Sequence, residues 1–144
     1  MMILSDVEIE ERIRKGSIRL TPFDATCLNG AGYDLRLLSE IGVPPGQYRL
    51  VATLERVELG ADVAATLHIR SSLARVGIIA SLALVDPGFQ GRLTVSLYNA
   101  GDDQLEMRKG DKFLQMVFHH LGMKASRTYS GRYQNSQGIV HRRA

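Results

Sequence analysis

Apolar residues along this chain follow two periods. Over residues 3–16, Ile9 and Ile13 stand one helical turn apart among charged neighbours, which predicts one short amphipathic helix. Both ends are marked. Ser5 and Glu8 have the spacing of a capping box, and Leu4 and Ile9 that of a hydrophobic staple. Asp6, Glu8, Glu10 and Glu11 lie toward the positive end of the helix dipole and Arg12, Arg14 and Lys15 toward the negative end, with Gly16 as the stop. Beyond Gly16 the period drops to two. Residues 17–20, 47–57, 65–69, 93–99 and 113–121 carry β-branched or alternating apolar positions, separated by Thr21-Pro22, Pro44-Pro45-Gly46, Pro87-Gly88, Ala100-Gly101-Asp102 and Lys109-Gly110-Asp111. Short strands with such turn signals predict an all-β sandwich, jelly roll or barrel behind one N-terminal helix. From Met123 onward the pattern fails, and residues 123–144 read as a flexible arm.

At 144 residues the chain is expected to be a single domain, 1–144, with that arm inside it. One cysteine, Cys27, excludes an intramolecular disulfide framework and a multi-cysteine zinc site, and fits the cytoplasm. No apolar run has the length of a membrane span, and the acidic N-terminal helix is unlike a signal peptide, so no membrane partner is expected. Charge changes the picture more. The net value of +3 hides a balance of −4 over residues 1–107 and +7 over residues 108–144. The C-terminal quarter is either a solvated basic tail or a seat for an anion, nucleic acid and a polyphosphate ligand being the two choices.

Several segments are candidates for chemistry. Gly30-Ala31-Gly32-Tyr33-Asp34-Leu35 has leucine where a dinucleotide fingerprint needs its third glycine, so it is either a plain turn or a place where backbone approaches a ligand, with Asp34 supporting a water or Mg2+. No Walker A sequence occurs. In Arg70-Ser71-Ser72-Leu73-Ala74-Arg75 a serine is expected to cap a helical turn, and hydroxyls, free N–H groups and a guanidinium can converge on a phosphate. Residues 76–85 are almost wholly apolar and read as a buried hairpin. Asp86 follows directly, as a turn cap or a functional carboxylate. On the next strand Thr94, Ser96 and Tyr98 share a face, and Ser96 has neither a base nor an oxyanion motif to make it a nucleophile. His119 and His120 are adjacent on a strand and point to opposite faces, so they cannot chelate one metal together. The His-x-Glu and Pro-Cys-x-x-Cys pattern of zinc nucleobase deaminases is absent from the sequence.

Taken together these segments resemble the trimeric dUTPase and dCTP deaminase superfamily. Ala31-Gly32-Tyr33-Asp34-Leu35 is similar to its first motif, Arg70-Ser71-Ser72-Leu73-Ala74 to its second, Val85-Asp86-Pro87-Gly88-Phe89-Gln90-Gly91 to its third and Gly110-Asp111-Lys112-Phe113-Leu114-Gln115 to its fourth. Met2-Ile3-Leu4-Ser5-Asp6, Pro22-Phe23-Asp24 and Gly131-Arg132-Tyr133-Gln134-Asn135-Ser136-Gln137-Gly138 look like the deaminase branch. In that branch a glutamate that shuttles protons stands ten residues beyond the aspartate of the third motif, a position held here by Ser96. A serine hydroxyl cannot replace a carboxylate in that task.

The resemblance therefore implies a jelly-roll-like distorted β-barrel in a homotrimer with its sites between subunits, and a dUTP diphosphatase releasing dUMP and pyrophosphate. On this expectation Asp86 activates the attacking water, and Mg2+ bridges the phosphates with indirect help from Asp34. Arg70, Ser71, Ser72 and Gln115 hold the phosphates, while the segment containing Ile79, Leu82 and Val85 reads uracil. Phe89 packs under the deoxyribose, and Arg132, Tyr133 and Gln137 close over the triphosphate when ligand arrives. Two features depart from a plain diphosphatase: Arg75 persists where the deaminase branch uses an arginine catalytically, and the tail lacks Gly-Gly-Phe-Gly, leaving Tyr133 to stack on the base or the tail to bind phosphates alone. Leu82 replaces an alanine common in the deaminase branch. The alternatives are a dCTP deaminase or dCTP/dUTP diphosphatase, a non-catalytic deoxynucleotide-binding regulator, and a nucleic-acid-binding β domain, the last resting only on the basic tail.

Overall fold

The computed structural model describes residues 2–142. Met1 and the last two residues of the expected domain and arm, 143 and 144, lie outside it. The elements run β1 (Met2–Ile3), α1 (Asp6–Lys15), β2 (Ile18–Thr21), β3 (Leu28–Asn29), β4 (Gly32–Arg36), β5 (Ile41–Val43), β6 (Tyr48–Ala52), β7 (Arg56–Leu59), β8 (Val63–Ile69), α2 (Ser71–Ala74), β9 (Ile78–Ser81), β10 (Gln90–Gly91), β11 (Thr94–Asn99), β12 (Leu105–Met107) and β13 (Lys112–His120). The all-β, jelly-roll-like expectation holds, although among the described residues the sheets do not close into one barrel.

Helix α1 begins where the sequence marks it. The Ser5 hydroxyl accepts from Glu8 N–H, the Glu8 carboxylate accepts from Ser5 N–H at 2.8 Å, and Gly16 ends the helix at φ 80°. The left-handed conformation there favours glycine because it has no Cβ. Ile9 is fully buried, which docks the helix on the core. Arg12, one turn further along, also ties the helix to the body by pairing with Asp62 and donating to His120 Nδ1 at 2.7 Å.

Strand β13 is the axis of the largest sheet. It pairs antiparallel with β8 along one edge and with β4, then β1, along the other. Leu114, Met116 and Phe118, fully buried, alternate along one face of this strand, while Gln115 and His119 lie on the other. Strand β11 organises a second sheet between β6 and β9, and β7 a third between β10 and β2. A buried ion pair ties β4 to the turn between β6 and β7: Glu55 accepts from Arg36 Nε at 2.6 Å and from Arg36 N–H at 2.9 Å.

Two local expectations are corrected. Residues 76–85 are not a buried hairpin. Ile78 and Val85 are buried, but Val76, Ile79, Leu82 and Leu84 are exposed, because β9 covers β11 with alternate residues and leaves its other face bare. The arm does not stand away from the body without ligand. Its main chain adds to β10 in a parallel bridge between Gly91 and Ser136, with Asn135 N–H donating to Gln90 at 2.7 Å and Arg92 N–H to Ser136 at 2.8 Å. Edge-strand groups on β10 explain the docking, since they need partners that the sheet does not supply on that side.

Candidate active site

A cavity of about 890 Å³ opens over the outer face of β11, between the loop after β9 and the docked arm. Register places Leu50 of β6 and Ser81 of β9 directly opposite Ser96, so the three side chains share that face. Leu82, Val85, Asp86 and Phe89 line the wall that follows β9, and Tyr129, Tyr133, Ser136, Val140, His141 and Arg142 come from the arm. Asp86 is the only carboxylate lining it among the described residues. Phe89 packs edge-on against Tyr129 with ring centroids 5.4 Å apart, so an arm residue already covers it. A smaller cavity of about 640 Å³ beside β5 and β12 gathers Glu40, Glu106, Arg108 and Asp111 but only that last residue from the motifs.

Of the residues singled out in the sequence, the structure thus brings together Leu82, Val85, Asp86, Phe89 and Tyr133, with Ser96 among them. A second group lies on the β8–β13–β4 sheet. Asp34, Gln115 and His68 form one register row across it. Arg70 Nε lies 3.5 Å from Asp34, while Asn29 donates to Asp34 at 3.3 Å and accepts from Gln115 at 3.0 Å. Ser71, Ser72 and Arg75 sit exposed on and just after α2. No serine caps this helix: its N-cap is Arg70, without a side-chain cap bond, which leaves both hydroxyls facing outward. Ile79, Arg132 and Gln137 do not line the cavity. Gln137 instead gives its carbonyl to Arg92.

His119 and His120 point apart as expected. His119 Nε2 meets the Thr66 hydroxyl at 2.9 Å, which also meets His68 Nε2 at 3.1 Å, whereas His120 faces Arg12. Among the described residues no three His, Cys, Asp or Glu side chains gather to hold a metal. Asp34 is engaged by Arg70 and Asn29, so the residues present do not fit a Mg2+ site held by this chain.

Tyr48, Ser81, Arg92, Thr94, Tyr129, His141 and Arg142 line the cavity although no motif in the sequence marks them as site residues. Thr94 had a signal, the two-residue spacing that puts it on the face of Ser96. The arm residues had none, because their place depends on where the chain returns.

The family model described as dCTP deaminase-like matches residues 39–121. A dCTP deaminase of Pyrococcus horikoshii is 43% identical over 144 aligned residues, covering 90% of this chain and 92% of that protein. This chain belongs to the dCTP deaminase-like family. Another relative, from Aquifex aeolicus, is named dCTP deaminase, dUMP-forming, and is 32% identical, covering 96% of this chain and 93% of that protein. Among solved structures, the dCTP deaminase from Agrobacterium tumefaciens matches with a TM-score of 0.72 at 19% identity, over 83% of this chain and 48% of that one. A mutant dUTPase of phage phi11 of S. aureus, whose structure details a structural Mg(II) ion, matches at 0.62 and 13% identity, over 81% of this chain and 98% of that one. These two likenesses show the fold alone, one that a dCTP deaminase and a dUTPase both have.

The expectation of a dUTP diphosphatase, with Asp86 activating water to give dUMP and pyrophosphate, is overturned. It rested on one position, Ser96. Relatives 40–43% identical over 90% of the chain are named dCTP deaminases. One side chain on an exposed sheet face is a small part of what a family shares, and it is outweighed by likeness along nearly the whole fold.

Proposed function

We propose that the protein is an enzyme of the cytoplasm that deaminates dCTP. The observation that carries this is the cavity over β11, enclosing Asp86 and Ser96 in a chain 43% identical to a named dCTP deaminase. Its walls suit a pyrimidine nucleoside. Leu82 and Val85 supply an apolar slot, Phe89 and Tyr129 an aromatic floor for the deoxyribose, and the Asp86 carboxylate an acceptor for a sugar hydroxyl. Tyr133 closes the base from the arm, with Arg132 and Gln137 beside it on the same segment.

The triphosphate is assigned to Arg70, Ser71, Ser72, Arg75 and Gln115. These lie on the β8–β13–β4 sheet and α2 and not in the cavity, so we infer that a second copy, in a homotrimer, brings them to it. Any Mg2+ arrives on the phosphates and no step depends on a protein ligand for it. Incubation with dCTP is expected to release ammonia and leave dUTP or dUMP. No ammonia above a blank, with saturating dCTP, overturns the reading.

Ser96 favours one other reading, a dCTP-binding protein without turnover, because a hydroxyl cannot shuttle protons as a carboxylate does. Calorimetric binding of dCTP without ammonia release supports that reading.

A further inference from the structure

We propose that His141 is the proton carrier of this cavity, taking the task for which Ser96 has no suitable group. This rests on the dCTP deaminase reading and adds to it a residue from the arm.

The arm is laid along β10 and β11 by a series of contacts. Arg92 Nη1 donates to the Gln137 carbonyl at 2.9 Å, the Thr94 hydroxyl donates to the Gly138 carbonyl at 3.4 Å, and Val140 N–H donates to Thr94 Oγ1 at 3.1 Å. Residue 140 is therefore pinned at Thr94. Ser96 lies two positions further along the same strand face, about 6.6 Å away at the rise of a β-strand. His141, the next residue after the pinned one, and Ser96 both line the cavity. The strands beneath offer no acid or base there, since the residues opposite Ser96 are Leu50 and Ser81.

The charged and titratable groups that share the cavity with His141 are Asp86 from the loop after β9, Arg92 before β11, Tyr48 of β6, and Tyr129, Tyr133 and Arg142 of the arm. An imidazole is the one side chain among these types whose ordinary charge change falls between pH 5 and 8, which suits repeated proton transfer near neutrality. The step balances without a co-reactant. Neutral His141 takes a proton from water as the C4–O bond forms and delivers it to N3 of the cytosine. It then takes the proton of the new hydroxyl and delivers it to the amino nitrogen as the C4–N bond breaks. Water and dCTP give dUTP and ammonia, and His141 ends neutral.

The test compares wild type with His141→Gln in ammonia release from dCTP across pH, and follows the His141 imidazole proton resonances by NMR as dCTP is added. The expected result is a loss of kcat of about 100-fold or more, KM within about twofold, and a changed shape of the pH–rate profile. The wild-type His141 resonances are expected to shift with dCTP. An unchanged rate and pH profile in His141→Gln overturns the assignment and leaves the deaminase reading standing. Resonances that do not move at saturating dCTP overturn it as well. Absence of ammonia from wild type, with the resonances shifted, overturns the deaminase reading and the proton-carrier role together, leaving His141 as a contact to the nucleotide.

Discussion

Arg36 and Glu55 form an ion pair inside the protein, Nε to Oε1 at 2.6 Å, with the Glu55 side chain fully buried and that of Arg36 15% exposed. The carboxylate also accepts Arg36 N–H and lies 3.5 Å from the Tyr33 hydroxyl. Burial pushes the Tyr33 phenol far above its ordinary range. Burial by itself pulls the Arg36 guanidinium down, but the hydrogen bond and charge of Glu55 outweigh it and hold it above the ordinary value.

Glu55→Gln is expected to destabilise the protein by about 3–5 kcal/mol, because it leaves Arg36 buried without its counter-charge. Urea unfolding followed by circular dichroism reads this directly. A loss below about 1 kcal/mol shows that Arg36 finds enough compensation from Asp24, which lies 3.2 Å from Nη1.

Ser96→Glu is expected to raise dCTP deamination, by less than the roughly 100-fold of a positioned general acid-base group because His141 already supplies one. The face of β11 has room for the longer side chain, since Ser96 borders the cavity and is only half-buried. Combining it with His141→Gln separates the two carriers. The double variant is expected to retain the gain, because a carboxylate on the strand makes the imidazole redundant. A double variant as slow as His141→Gln alone shows that a carboxylate at 96 does not reach the base.

Acid sensitivity is expected at the seam between α1 and the sheets. Burial raises the Asp62 carboxyl, but the Arg12 hydrogen bond and charge outweigh it and hold its pKa below the ordinary aspartate value of 3.8. The unfolded chain therefore binds this proton first. The pair's stabilisation is complete above the unfolded pKa and is lost as pH falls below about 3.8 through the folded value. Asp62→Asn is expected to lower stability at pH 7 and flatten its decline below pH 4, measured by thermal melts at several pH values. An unchanged slope below pH 4 excludes Asp62 as a source.

The fold was legible where neighbours in sequence decide it. Ser5, Glu8 and Gly16 mark the helix ends through contacts within a few residues, and the alternation at Thr94, Ser96 and Tyr98 fixes which face of β11 lies outward. Residues 76–85 misled because an apolar run does not reveal that its sheet has one uncovered face. The site was legible from β9 to β11, where Leu82, Asp86 and Ser96 meet through one loop and one register. It was not legible in the arm. Polar residues such as His141 carry no periodicity, and their place depends on β10, whose edge groups draw in a chain segment 45 residues later, Gly91 pairing with Ser136. Family chemistry is not legible at Ser96 for a related reason: one position on β11 says nothing of the groups that other segments bring to the same face.

The arm's seat is expected to fail in two distinct ways. Arg92 donates through Nε to the Leu54 carbonyl at 3.1 Å and through Nη1 to Gln137, tying the body to the arm with one side chain. Arg92→Ala removes both bonds but leaves the backbone bridge, so a loosening of about 1–3 kcal/mol is expected from two charge-assisted bonds. Gly91→Ala attacks the bridge itself. A Cβ there would meet Ser136 N at 2.9 Å, and Gly91 has φ +150°, a backbone setting that resists a side chain. Limited trypsin digestion at Lys124, Arg127 and Arg132 reads the opening, and both variants are expected to be cut at least about tenfold faster than wild type while the rest of the chain stays resistant. Because the seat also carries Tyr133 and His141 to the cavity, kcat for dCTP is expected to fall with it. Faster cleavage with an unchanged kcat shows that the arm is docked for stability alone and that catalysis proceeds without it.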